Sequence, residues 1–394
     1  MVSPSSKANL FKSLHGQEAK QQVRLVLESM RNAGLLEGFR GPVRYRHPSR
    51  PEDQFYFQFE VQFSDGERWL LQSTTSIRDD RANIYQWHAL FIKHLYPEVR
   101  LALIVLPDEI SATEKVNMER YREKVVAERI YSALDDVVFL SEVYSMIERR
   151  ALAGESLGYT KAKLGTELER RLVAILNSKS NLDKWNSRDP VLVGLQYPVF
   201  KAILRSCGVP GDAIIDSLQA SNDIPPLDSG GSPKADVCFD LAYEGKNESF
   251  SISSKRSSAR RVTVHEYSAA TFVDALGIED RSVIRALEAF QNEGAVTKIS
   301  ESTAEVITAW MSAHVDELLT WVISGACSTM PQCDSRCADL VATYDDESND
   351  FSVYPVEAYI KMLKRTTGQF GTPFSWTYPS GGKGKRIQLK AAVM

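Results

Sequence analysis

The chain has 394 residues, a formal charge of -4, 43% hydrophobic and 9% aromatic residues. That length favours two domains over one, and the apolar share excludes extensive disorder. The charge balance excludes a global polycation, so affinity for nucleic acid has to come from local basic clusters.

In the first part, residues 17–31 have helical spacing, while 43–46, 55–63 and 69–75 alternate or run apolar as strands do. Residues 83–95 read as a helix, 101–106 as a short apolar strand, and 112–150 as mostly helical with heavy surface charge. The small, polar stretch 153–159 (AGESLGY) marks a domain boundary. Beyond it, 161–177 places Leu164, Leu168, Leu172, Ile175 and Leu176 along one helical face. Residues 222–234 (NDIPPLDSGGSPK) read as an exposed loop, and 236–243 and 249–255 as strands joined by the turn 244–247. Helices are expected at 269–293 and 304–323, and strands at 339–344 and 386–393. Both parts are mixed α/β.

No signal-like stretch and no run of about 18 apolar residues is present, which gives the expectation of a cytoplasmic protein with no membrane association. Five cysteines, an odd number, fit reduced thiols. Cys327, Cys333 and Cys337 lack the close pairing and nearby histidine of tetrahedral zinc sites.

The hairpin carries the chemistry. Period two places Ser251, Ser253 and Lys255 on one face of the second strand, and Asp236 begins the first, so a carboxylate and an amine share one edge of a sheet. Glu169, with Glu167 as the alternative, flanks the apolar stripe of the preceding helix and can add a second acid. Carboxylates that hold Mg2+ beside an ammonium that positions water and stabilises charge are what phosphodiester hydrolysis requires.

Three segments, Gly165-Thr166-Glu167-Leu168-Glu169, Pro233-Lys234-Ala235-Asp236 and Ser253-Ser254-Lys255, resemble the motifs of the PD-(D/E)XK nuclease superfamily. The resemblance implies a nuclease-like α/β core over 158–394, with Glu169 as the helix acid, Asp236 as the metal-binding aspartate and Lys255 as the catalytic lysine. Ser253 departs from the pattern, which expects Asp or Glu there; MspI-type restriction endonucleases are similar in carrying a polar, non-acidic residue at this place. The tail, Phe374-Ser375-Trp376-Thr377-Tyr378-Pro379-Ser380 and Gly384-Lys385-Arg386-Ile387-Gln388-Leu389-Lys390, is similar to the C-terminal segment of several such enzymes. The likeness implies a type II restriction endonuclease that uses Mg2+ on double-stranded DNA, with a homodimer on the DNA left open; the alternatives are a structure-specific repair or resolution nuclease and, given Ser253, a catalytically inactive DNA-binding protein.

Basic residues flank the proposed centre. Arg256, Arg260 and Arg261 follow Lys255 in a stretch without acids, and Lys383, Lys385 and Arg386 lie beside a glycine-rich loop in the tail. Gln369, Arg365, Lys364 and His265 are candidates for reading bases. Residues 1–152 repeat the element order of the core, with Asp53 and Glu60 in the first strands and Gln72-Ser73-Thr74 where an acid and a lysine are expected; by resemblance, 69–81 (WLLQSTTSIRDDR) is a diverged nuclease strand and loop. A degenerate domain for DNA contact or assembly is expected there. Arg78 and Arg81 are its candidate phosphate contacts, or plain partners of Asp79 and Asp80.

Overall fold

The computed structural model describes residues 4–392 apart from 109, 154–156, 190–191, 228–231, 258–260, 294, 328–329, 333, 346–349 and 380–383. The chain divides into two compact units, Met1–Lys163 with Ser178–Tyr197, and Leu164–Asn177 with Pro198–Met394. Part of the stretch 153–159 lies outside the described residues. No helix among the described residues is long and apolar enough to cross a membrane.

The first unit begins with α1 (Pro4–Asn32), β1 (Gly38–Arg40), β2 (Val43–His47), β3 (Arg50–Phe57), β4 (Phe59–Gln62) and β5 (Arg68–Ser73). It continues with α2 (Asp79–Leu95), β6 (Val99–Leu106), α3 (Ala112–Arg122), a π-helical turn at Glu123–Ala127, β7 (Asp136–Phe139) and α4 (Leu140–Ala151). Its sheet has the order β1-β4-β5-β6-β7: antiparallel up to β5, parallel from β5 onward. Leu70, Ala102, Ile104 and Val137 point from these strands into a core shared with Ala89 and Ile92 of α2. The apolar run 55–63 is divided at Gln58, because β3 leaves the sheet to form a separate ribbon with β2. Gly41 allows the close approach there, since a Cβ on it would collide with the Gln58 carbonyl. The strand β7 is not evident in the sequence, because four residues flanked by helical segments show no usable period.

α5 (Leu157–Leu176), α6 (Lys179–Ser187) and α7 (Tyr197–Ser206) follow, then β8 (Ile215–Ser221), β9 (Val237–Tyr243), β10 (Lys246–Ser257) and β11 (Arg261–Tyr267). After them come α8 (Ala269–Leu276), α9 (Arg281–Glu293), α10 (Glu301–Ala313), α11 (Val315–Ser324), β12 (Leu340–Asp345), β13 (Phe351–Pro355), α12 (Val356–Leu363), β14 (Ser375–Thr377) and β15 (Ile387–Ala392).

The second unit holds a sheet β13-β12-β10-β9-β8, in which β10 and β12 are parallel, and a smaller one, β11-β15-β14. Alternation in β9 buries Val237, Phe239, Leu241 and Tyr243, and Phe239 stacks on Phe250 across the hairpin. Glu244 and Gly245 both have positive φ, so the turn needs only two residues and Lys246 already pairs with Tyr243. Gly277 in the left-handed region closes α8, which splits the apolar stretch 269–293 into two helices. Phe272, Leu287, Leu319, Trp321 and Leu389 form the core between these helices and the smaller sheet.

Candidate active site

Asp236 immediately precedes β9 and is fixed by its own backbone, whose N–H donates to the Ile252 carbonyl at 2.8 Å. Its carboxylate Oδ2 accepts from the Ser254 backbone N–H at 2.6 Å, and the Ser254 and Ser253 hydroxyls lie at 3.3 and 3.4 Å. The Lys255 ammonium stands 3.7 Å from the same oxygen, donating to Ser253 Oγ at 2.6 Å and to the Ser254 carbonyl at 3.0 Å. Ser253 is fully buried, so its hydroxyl is a fixed spacer between acid and amine.

Glu169 comes from α5. Its carboxyl is pushed up to about 7, first by burial and then by the negative charge of Asp236, with Lys255 and Arg170 pulling the other way. Glu167 is buried and pairs with Arg170 at 2.7 Å. The structure therefore brings Glu169, Asp236, Ser253 and Lys255 into one electrostatic group, while Glu167 has a partner on its own helix.

Lys234 carries no strong signal in the sequence, where only its position two residues before Asp236 distinguishes it. Its ammonium donates to the Val264 carbonyl at 2.6 Å and stands over the Tyr267 ring at 6.0 Å. Burial and the nearby Lys255 push it down to about 7, against the pull of Asp236. The left-handed Gly325 leaves room for its stem, since a Cβ there would sit 2.9 Å from Lys234 Cγ.

Lys234, Asp236 and Lys255 line a cleft of about 920 Å3, together with His265, Lys385 and Arg386. Pairing of β11 with β15 places Tyr267 opposite Ile387 and Glu266 opposite Gln388, so the tail and the segment after the hairpin wall the same cleft. Lys385 and Arg386 are exposed, and Arg386 pairs with Glu266 at 3.3 Å. Arg256 lies over the Tyr344 ring at 5.2 Å, and Arg261 is exposed at the start of β11. Arg260 and Lys383 lie outside the described residues.

Among the candidate base readers, Gln369 accepts from the Trp376 backbone N–H at 2.7 Å and so holds a turn, and Lys364 pairs with Asp316. Arg365 is exposed. His265 is buried edge-on against Trp321 and Phe272, and among the described residues neither ring nitrogen has a hydrogen-bond partner.

In the first unit, Glu60 is buried and bound by Arg40 at 2.9 Å and by the Tyr45 hydroxyl. The side chain of Asp53 lies outside the described residues. Arg78 pairs with Asp80 at 3.7 Å, whereas Arg81 bonds to Thr74 and Ser76.

Comparison with known proteins gives a consistent picture. The family model of the restriction endonuclease MspI matches residues 144–391. The type II restriction enzyme BsuFI of Bacillus subtilis is 29% identical over 402 aligned positions, covering 98% of each chain. The type II restriction enzyme MspI of Moraxella sp is 22% identical over 260 positions, covering 64% of this chain and 98% of that one. The crystal structure of MspI with its cognate DNA matches with a TM-score of 0.53 at 21% identity, over 64% of this chain and 98% of that one, and shows a common fold.

Proposed function

Because the chain belongs to the MspI family of type II restriction endonucleases, we propose that it hydrolyses phosphodiester bonds in double-stranded DNA at a short specific sequence, in the cytoplasm, with Mg2+ as cofactor. The observation that carries this reading is the single edge shared by Asp236, Ser253 and Lys255, with the charge of Asp236 acting on Glu169. The chemistry is assigned to residues 158–394, and DNA contact or assembly to residues 1–152.

The donor set fits a hard divalent cation. Asp236 and Glu169 supply carboxylate oxygens whose mutual repulsion a cation relieves. Among the described residues no cluster of three or more metal-ligating side chains is found, so the remaining positions fall to water and to DNA phosphate oxygens. Mg2+ held there supplies Lewis-acid stabilisation of the phosphate and an acidified water. Lys255 uses two of its three N–H donors on Ser253 and Ser254, and the third is available to water or the scissile phosphate beside Asp236. Lys385 and Arg386 meet the backbone farther along the cleft.

Digestion of a sequenced plasmid with Mg2+, followed by mapping of the ends, tests the proposal. Discrete fragments with common end sequences are expected; random ends would overturn site specificity, and intact plasmid would overturn the enzyme. Nicked circles that accumulate before linear product would mean that the strands are cut one at a time, whereas direct linearisation would point to a homodimer on the DNA.

A further inference from the structure

The central strands of the two units share one register. In the second, Val237 of β9 faces Ile252 of β10, which faces Leu340 of the parallel strand β12. In the first, Phe59 of β4 faces Leu71 of β5, which faces Leu103 of the parallel strand β6. Counting along both, Gln58 occupies the place of Asp236, Gln72 that of Ser253, Ser73 that of Ser254 and Thr74 that of Lys255.

The hydrogen bonds correspond as well. Ser254 gives its N–H and its hydroxyl to the Asp236 carboxylate at 2.6 and 3.3 Å; Ser73 gives its N–H and its hydroxyl to Gln58 Oε1 at 3.1 and 2.5 Å. An amide thus stands where the carboxylate stood and keeps its acceptor role, while the second oxygen has become an NH2 donor with no hydrogen bond among the described residues. The lysine is replaced by Thr74, whose Oγ1 accepts from Arg81 Nη1 at 3.1 Å; Arg81 reaches it from α2. That guanidinium is anchored on one nitrogen only, and no carboxylate pairs with it among the described residues.

We propose that the first unit contains a second, metal-free phosphate-binding site for DNA, built on the nuclease framework from the Gln58 amide, the Thr74 position and the Arg81 guanidinium. The physical reason is a reversal of sign. Two carboxylates repel a phosphate until a cation joins them, whereas an amide donor and a guanidinium attract it directly. This site has no group able to activate water, and it serves to dock duplex. The inference rests on the reading of the chain as a DNA enzyme and adds to it a second point of attachment.

The test uses the full chain and a short duplex of random sequence, since a phosphate contact carries no sequence information, with binding followed by fluorescence anisotropy in EDTA over a salt series. Gln58→Glu keeps the acceptor for Ser73 and replaces the NH2 with a charged oxygen, so it should preserve the fold and weaken binding by about tenfold. Arg81→Gln should weaken it similarly and lower the salt slope by about one ion, while Arg81→Lys restores the slope. Wild-type affinity and slope in both Gln58→Glu and Arg81→Gln would overturn the site. A wild-type chain that binds duplex but leaves the sequenced plasmid intact with Mg2+ would defeat the endonuclease reading alone, and the affinity comparison would still decide the docking site.

Discussion

Lys255 and Asp236 are 3.7 Å apart, and the Ser253 hydroxyl accepts from the lysine at 2.6 Å while lying 3.4 Å from the same aspartate oxygen. The serine that replaces an acid in the superfamily pattern therefore positions the amine. A neutral hydroxyl at this place adds no negative charge beside Asp236 and Lys255.

That arrangement ranks three substitutions. Asp236→Ala and Lys255→Ala should each slow single-turnover cleavage by roughly a thousandfold or more, with duplex affinity nearly unchanged. Ser253→Ala removes one orienting hydrogen bond and should slow cleavage by about tenfold. Single-turnover rates at saturating enzyme check the order, and a wild-type rate for Lys255→Ala would remove this centre from consideration.

Metal-free stability should depend on pH through Glu169. Its carboxyl is raised from 4.5 to about 7, so the folded state holds this proton more tightly than the unfolded state. The contribution is fully present below pH 4.5 and is lost as pH rises through about 7. Glu169→Gln keeps a neutral side chain, and its melting temperature in EDTA at pH 8 should exceed that of the parent by about 2–4 °C, with the difference gone near pH 4. Thermal melts of both proteins across this range would show equal pH dependence if burial and the charge of Asp236 did not raise the Glu169 carboxyl.

Gly325→Ala combines two penalties, a left-handed backbone at φ 90° and a Cβ placed 2.9 Å from Lys234 Cγ. A loss of about 1–3 kcal/mol is expected. Urea unfolding measures it, and a midpoint equal to the parent's would show that α11 and Lys234 adjust freely.

Lys385 and Arg386 line the cleft in exposed positions. Reversing either charge should weaken specific and nonspecific duplexes alike and reduce the salt dependence of binding by about one to two ions. Competition binding with two unrelated sequences checks this, and a loss confined to one sequence would mean that the residue reads bases.

The hairpin and the meeting of Asp236, Ser253 and Lys255 along it were legible because a strand has period two and a tight turn fixes its register, so Asp236 and Lys255 meet by local geometry alone. Pairing of β11 with β15 was not legible, since Thr263 faces Lys390 across a distance in sequence that no local pattern encodes. Gln58 was missed for a chemical reason: a search for a catalytic acid in the first unit stops at Asp53 and Glu60, and an amide in the acid's place carries no signal until the strands are aligned. The break at Gly277 was hidden because apolar residues continue across it, even though glycine is a frequent helix terminator.

The parallel pairing of Ile252 with Leu340 also governs the order of assembly. The hairpin of β9 and β10 needs only a two-residue turn and can form within microseconds. The strand that completes its other edge, β12, follows only after α8, α9, α10 and α11 among the described residues, a closure with a larger entropic cost. The turn alone is thus enough to bring Asp236 and Lys255 together, whereas the sheet edge and the cleft around them depend on contacts distant in sequence.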